Sequence, residues 1–422
     1  MRRPQAPDPF VHPKLEDYEQ YIGHEAVERI LEKARPLRGL KLINVNSTLY
    51  GGGVAEILNS LTLLQNGVGL RTDWRVIQGA PDYFSVTKKM HNALQGGEIN
   101  LTRRKMKIFE DVLAMNAVRS HFDQHDFVVI HDPQPLPLIR YYRKNGPWIW
   151  RCHVELSAPN PELWSYLKPF VELYDAVIVS AEEYKQQLAT PQLIFQPAID
   201  PFSTKNVEMP SRQVEQRLRH HGIPLDRPIV AQVSRFDRWK DPLGVIQAAR
   251  LARKEVDFTL VLLGNVATDD PEGEEVYDSL LKCRDERTLI LVRDDTSLVN
   301  ALQRRAAVIL QKSLREGFGL TVTEAMWKGA AVIGGNTGGI CHQIVDGQNG
   351  FLVDSVEQAA ERIVTLLRDE ELRRSLGEQG RKTVRRNFLM SRLLEQYLDL
   401  LGGFETRYVL AGHNDGPTPA AS

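Results

Sequence analysis

Two doubly wound α/β domains facing a central cleft are predicted by three features of this sequence. At 422 residues the chain is too long for one ordinary core and suits two of typical size. Short apolar, β-branched runs alternate with longer helical patterns, the rhythm of buried parallel strands and their crossover helices. Between two sets of such runs lies 200–227, rich in proline and polar residues, with a short helical pattern around Gln213–His221.

The strands expected in the first set are Lys41–Asn46, Trp74–Gln78, Phe127–His131, Trp148–Val154, Ala176–Ser180 and Leu193–Ile199. The second set is Ile229–Ser234, Phe258–Gly264, Thr288–Arg293, Ala307–Gln311, Ala331–Gly334 and Gly350–Val353. The expected domains are therefore 1–205 and 206–385, followed by a helical segment 386–410, clearest over Ser391–Leu401. The last residues, 411–422, are small and polar with nothing to bury, and read as a disordered tail. No repeat of solenoid length is present.

Lys plus Arg (53) nearly balances Asp plus Glu (54), so no global charge favours a nucleic-acid or acidic-membrane partner. Phosphate chemistry, if any, must come from local sites. Cys152, Cys283 and Cys341 are widely spaced, with no Cys-x-x-Cys pair, which suits a reducing cytoplasm. The N-terminus is charged and Pro-rich, without the apolar stretch of a signal peptide, and no apolar run is long enough to span a bilayer.

The strongest chemical signal is the stretch Glu316-Gly317-Phe318-Gly319-Leu320-Thr321-Val322-Thr323-Glu324. Two carboxylates flank a Gly-rich turn that follows a strand and opens a helix, at the carboxyl edge where open α/β sheets bind ligands. Free N–H groups at that helix start suit a phosphate, and glycine lets the backbone approach it. Eight residues separate the carboxylates by roughly 10 Å, too far to flank one glycosidic bond as in retaining hydrolases. They are placed to grip two parts of a long ligand, such as a sugar and a ribose. The bland alternative is a capped amphipathic helix with solvated glutamates.

A second signal, Ser234-Arg235-Phe236-Asp237-Arg238-Trp239-Lys240-Asp241, follows the first strand of the second set. Arg235 and Lys240 can converge on one diphosphate and offset the charge of a departing nucleotide, in place of a metal. No Asp-x-Asp triplet of the metal-holding kind accompanies them, and no metal ligands are assigned. Taken alone, the stretch also reads as a solvated basic turn. A third, Asn44 to Glu56 with Gly51-Gly52-Gly53, is either an anion cradle facing the cleft or a tight strand-to-helix turn. Both standard nucleotide fingerprints are absent, which argues against an NAD-linked dehydrogenase and a P-loop kinase. Asp132 and Gln134 after the third strand, and His153 and Glu155 at the end of the fourth, should face the same cleft. A lone histidine such as His153 also has a structural reading.

With Ser-Arg-x-x-x-x-Lys-Asp at 234–241, Glu-x7-Glu at 316–324 and Gly-Gly-Ile at 338–340, the chain resembles the large retaining GT-B glycosyltransferase family of bacterial-type sucrose and glycogen synthases. His131-Asp132-Pro133-Gln134, Trp150-Arg151-Cys152-His153, Pro197-Ala198-Ile199-Asp200 and Ala325-Met326-Trp327-Lys328 narrow the resemblance to its trehalose glycosyltransferring synthases, which fungal-type trehalose phosphorylases also resemble. The resemblance implies that Arg235 and Lys240 hold the donor diphosphate, Glu316 meets the transferred glucosyl ring and Glu324 the ribose. It places Gly52, Gly53, Gly317, Phe318, Gly319 and Leu320 along the donor and the backbone near Arg293 at the base. His153 falls beside the reacting centre, and Asp132, Gln134 and Glu155 become acceptor-binding candidates.

It further implies a nucleoside-diphosphate glucose donor, a glucose acceptor, no tightly bound cofactor, Mg²⁺ acting at most through the nucleotide, and a homodimer. The last helix is expected to cross back to the first domain. The alternatives are a retaining trehalose phosphorylase, a hexosyltransferase with another acceptor, and a silent nucleotide-sugar-binding module.

Overall fold

The computed structural model describes residues 12–50, 52–264 and 271–412. In its first half, α1 (Glu19–Ile22) and α2 (His24–Ala34) precede β1 (Lys41–Asn46), α3 (Gly53–Gly67), β2 (Arg71–Val76), α4 (Pro81–Leu94) and α5 (Arg103–Arg119). β3 (Phe127–His131), β4 (Trp148–Arg151), α6 (Pro161–Val171), β5 (Ala176–Val179) and β6 (Gln192–Ile194) complete it. The second half runs α7 (Ser211–His220), β7 (Ile229–Val233), α8 (Pro242–Ala252), β8 (Thr259–Gly264), α9 (Pro271–Cys283), β9 (Thr288–Val292) and α10 (Thr296–Arg305). It continues through β10 (Val308–Gln311), α11 (Leu320–Trp327), β11 (Ala331–Gly335), β12 (Phe351–Val353), α12 (Val356–Arg368), α13 (Glu370–Asn387) and α14 (Met390–Gly412).

The two predicted sheets are both present, each six-stranded and parallel, with orders β2-β1-β3-β4-β5-β6 and β12-β11-β10-β7-β8-β9. Strand order reverses between β1 and β3 in one and between β7 and β10 in the other, so loops diverge there and leave a crevice. Alternation along the strands builds a core on each face. Ile43, Val45, Val128 and Ile130 pack into one cluster, whereas Leu42, Phe127 and Val129 pack into the opposite one.

Several strand ends differ from expectation, for local reasons. β2 starts at Arg71 because edge strands need bury only one side: Thr72 is buried while Arg71, Asp73 and Arg75 are exposed. β4 stops at Arg151, since the next ladder donor but one, the His153 N–H, bonds the Asp132 carboxylate instead (2.7 Å). β6 stops at Ile194, short of Pro197, which has no N–H to give.

The chain crosses between the halves twice, and the crossings lie side by side. The Ile199 N–H donates to Phe388 O (2.9 Å) and the Met390 N–H to Ile199 O (3.0 Å). Beyond the second crossing, Met390, Leu393, Leu394, Tyr397, Leu398 and Leu401 form one apolar stripe at helical spacing. That stripe is buried against Leu15, Ile30, Leu37, Leu61 and other residues of the first half. The helix runs on past Leu401 to Gly412, so the expected tail 411–422 begins inside it, and 413–422 lie outside the described residues. Among the described residues no helix is long and apolar enough to cross a membrane.

Candidate active site

The loop after β7 is held in place before any charge on it is considered. Asp237 accepts from the N–H groups of Trp239 (2.9 Å) and Lys240 (3.1 Å), the Gln232 amide donates to Lys240 O (2.7 Å) and the Leu314 N–H to Trp239 O (2.7 Å). Asp241 sits at φ 47°, caps α8 through Gly244 N, and is ion-paired with buried Lys312. With its backbone so fixed, the loop extends Lys240 to Glu316, Nζ to Oε2 2.5 Å. Ser313 Oγ donates to the same oxygen (3.2 Å). Arg235 stays half exposed at the loop start, 3.5 Å from Asp237.

Glu316 and Glu324 serve separate neighbourhoods. Glu324 meets Lys205 Nζ (3.3 Å) and Gln303 Nε2 (3.4 Å), while Lys205 also pairs with Glu56 of α3. Burial opposes the Lys205 charge, but Glu324 and Glu56 outweigh it and raise its pKa. Between the two glutamates, Gly319 at φ 86° starts α11 with no side chain capping it. A helix start of that kind faces an anion readily.

The first half meets this loop closely. A Cβ on Gly317 would lie 2.6 Å from His153 O, and one on Gly53 2.8 Å from Leu320 Cδ1. Tyr184 donates to the carbonyls of Glu316 and Gly317 (both 3.2 Å), and Arg315 pairs with Glu155 (3.1 Å). His91 of α4 is pushed down to about 3 by burial and by Arg235, Lys88 and Lys240, which sets α4 against the cationic loop.

At the ends of β3 and β4, buried polar groups form a chain. Asn44 Oδ1 lies 3.0 Å from His131 Nε2, and His131 Nδ1 lies 3.0 Å from His153 Nε2. Burial and the Arg151 charge hold both imidazoles far below the usual value, so both are neutral at pH 7. Asp132 takes φ 64° and Gln134 Oε1 is buried with no partner among the described residues, an acceptor left for a hydroxyl group.

Two family models match the chain: "Trehalose synthase, N-terminal domain" over residues 44–186 and "Glycosyl transferases group 1" over 213–383. Trehalose synthase of Thermococcus litoralis is 44% identical over 400 residues, 93% of this chain and 97% of the relative. The chain belongs to the trehalose synthase family. It is a glycosyltransferase of GT-B fold. A UDP-forming α,α-trehalose-phosphate synthase from Burkholderia xenovorans superposes with TM-score 0.70 at 16% identity, over 87% of this chain and 99% of that one. More distantly, trehalose phosphorylase of Grifola frondosa is 28% identical over 88% of this chain and 58% of its own length.

In this trehalose synthase family member, the structure brings Lys240, Glu316, Gly317, Phe318, Gly319, Leu320, Gly53 and His153 to one crevice at the two sheet switch points. Gly52 caps α3 at φ 144°, while Gly51 lies outside the described residues. Phe318 itself is in the core, so only its backbone is free to line a ligand. Glu155 is spent on Arg315 and Ser157 N (2.9 Å), which makes it a brace across the cleft before any acceptor arrives. Arg293 is exposed at the end of β9, its N–H bonded to Gly264 O (3.0 Å).

Lys205, Arg315 and Tyr184 join the site without having been singled out from sequence. His131 joins it too, at the head of the strand-end stretch His131-Asp132-Pro133-Gln134 that the sequence already set toward the cleft.

Asp132 supplies a pH prediction. Burial raises its carboxyl to about 6, against the pull of the His153 N–H and Arg151. Between its ordinary value and about 6 the folded state binds the extra proton, so this group's share of stability is lost as pH rises through about 6. If Asp132 binds an acceptor hydroxyl in its ionised form, as the sequence resemblance implies, kcat/KM for the acceptor should fall below about pH 6. Asp132→Asn should remove that limb and flatten the thermal midpoint across the same window. A pH–rate profile of both proteins checks it, and an unchanged limb in the variant overturns the assignment.

Proposed function

We propose that the protein transfers glucose, with retention, from a nucleoside-diphosphate glucose to the anomeric hydroxyl of free glucose, giving α,α-trehalose and the nucleoside diphosphate. The supporting observation is the Lys240–Glu316 pair, 2.5 Å apart beside the uncapped start of α11 and facing the His153 backbone across the cleft. A diphosphate leaving there meets Lys240, Arg235 and free N–H groups, and the glucosyl ring meets Glu316.

The bond from C1 to the diphosphate oxygen breaks, and a bond from C1 to the acceptor oxygen forms on the same face. The acceptor proton passes to the departing diphosphate. Glu316 is held by Lys240 and Ser313, which suits a positioning carboxylate better than a nucleophile. Glu324 takes the ribose hydroxyls, and contact between the two halves keeps water from the donor. In this reading the enzyme is cytoplasmic and homodimeric, needs no resident cofactor, and meets Mg²⁺ only through the nucleotide.

The test is incubation with glucose and UDP-, ADP- or GDP-glucose. A non-reducing disaccharide is expected, and its absence with every donor overturns the reading. Arg235→Ala should lose turnover while keeping part of its donor affinity, as measured by calorimetry beside the product assay. The Grifola frondosa relative favours a second reading, phosphorolysis of trehalose. Phosphate-dependent release of glucose 1-phosphate would identify it.

A further inference from the structure

Away from the cleft, where the N-terminal helices meet α13 and α14, lies a cavity of 420 Å³ with a cationic wall. Arg29, Lys382, Arg385, Arg386 and Arg392 line it, and Glu395 is the acidic residue among its lining. Glu395 is already engaged, 2.7 Å from Arg29 Nε and 2.9 Å from Lys33 Nζ. Arg385 reaches only carbonyls, Tyr21 O at 2.7 Å and Gln20 O at 3.3 Å. Lys382 and Arg386 are exposed, and their side chains make no hydrogen bond or ion pair among the described residues.

Arg392 is the deepest of the five. Its two terminal nitrogens donate to Gln396 Oε1 (2.5 Å) and to the carbonyls of Gln196 (2.7 Å) and Pro197 (2.9 Å), but its buried Nε has no partner. Burial and the nearby Arg151 charge push it down to about 10. Arg151 is itself buried with an unpartnered Nη1, and neither guanidinium forms an ion pair among the described residues. Buried cations without a counterion are costly unless something anionic arrives.

We propose that this cavity is a phosphate-binding site, which takes the phosphoryl group of a small metabolite between Arg29, Lys382, Arg386 and Arg392. Lys382 and the Arg386 fork are free to meet phosphate oxygens, while Arg29, forked onto Glu395, and Arg392, whose terminal nitrogens are engaged, add positive charge around them, and the volume suits a molecule the size of a hexose phosphate. The walls come from both halves. α14 and α2 pack in the core of the first, whereas α13 packs on α11 and β11 of the second. A bound phosphate therefore ties the halves together next to the paired crossings and favours one domain orientation.

Inorganic phosphate and glucose 6-phosphate are the probes, titrated calorimetrically into the full chain. Because the cleft also suits phosphate, the titration is run on Arg235→Ala/Lys240→Ala, which should still bind. Adding Lys382→Glu/Arg386→Glu should weaken that binding at least about tenfold, and Arg29→Ala on the opposite wall should act in the same direction. In the otherwise native chain, Lys382→Glu/Arg386→Glu should leave turnover without added phosphate unchanged. Binding of both probes assigns the free anion, and binding of glucose 6-phosphate alone assigns an esterified one. No binding to the cleft variant, or equal affinity after the charge reversal, overturns the proposal.

Discussion

Lys240→Ala is expected to lower kcat by about 10²–10³-fold, the usual cost of removing one preorganised group from a developing charge. Two functions are lost together. On the proposed reading the ammonium no longer meets the departing diphosphate, and in any case Glu316 loses its 2.5 Å partner while remaining buried. The loop itself should survive, because Asp237, Gln232 and Leu314 hold its backbone through groups other than the Lys240 side chain. Donor affinity should therefore fall much less than turnover. Single-turnover kinetics with a donor titration checks this, and a change in affinity alone would remove Lys240 from the chemistry. Lys240→Arg should recover only part of the rate, since a planar fork does not replace a point charge at this distance.

Gly317→Ala is the second change with a large expected effect, and its cause is steric. The added methyl carbon would stand 2.6 Å from His153 O and 3.5 Å from Glu155 N, both backbone atoms of the facing half. Neither can swing aside as a side-chain tip does, so the halves must separate or the loop must retreat from His153. Displacement of about 1 Å at a reacting centre costs roughly 10²-fold in rate. Thermal stability should fall as well, because the clash lies in the buried contact between the halves. Gly402→Ala in α14, with nothing within 4 Å of the new atom, is the control. Wild-type kcat in Gly317→Ala would mean that contact between Gly317 and His153 is not needed for turnover.

The sheets were legible because parallel strands buried on both faces appear as apolar runs, as in Phe127–His131 and Ile229–Val233. β2 was placed late because its alternation of Arg71, Asp73 and Arg75 with buried or half-buried residues marks an edge strand, not a buried run. Lys240, Glu316 and Glu324 stood out in the sequence because they lie in the stretches that follow two strands of the second set, and the structure brings Lys240 and Glu316 together. Lys205, Tyr184 and Arg315 did not stand out. Each acts across the cleft, on Glu56 and Glu324, on Glu316 and Gly317, and on Glu155. Those pairings are made by domain docking, and no local pattern around 184, 205 or 315 announces them.

The stripe on α14 also bears on how the protein is made. Residues 390–401 close a core that otherwise consists of residues from the first half. During synthesis, then, the first half emerges complete in its strands but without the helix that covers Leu15, Ile30, Leu37 and Leu61. That apolar surface stays uncovered until residues 390–401 have left the ribosome, after the second half has been made, so the half begun first closes later than the second. A nascent chain released early exposes a sticky face, which is where a holding chaperone has most to do.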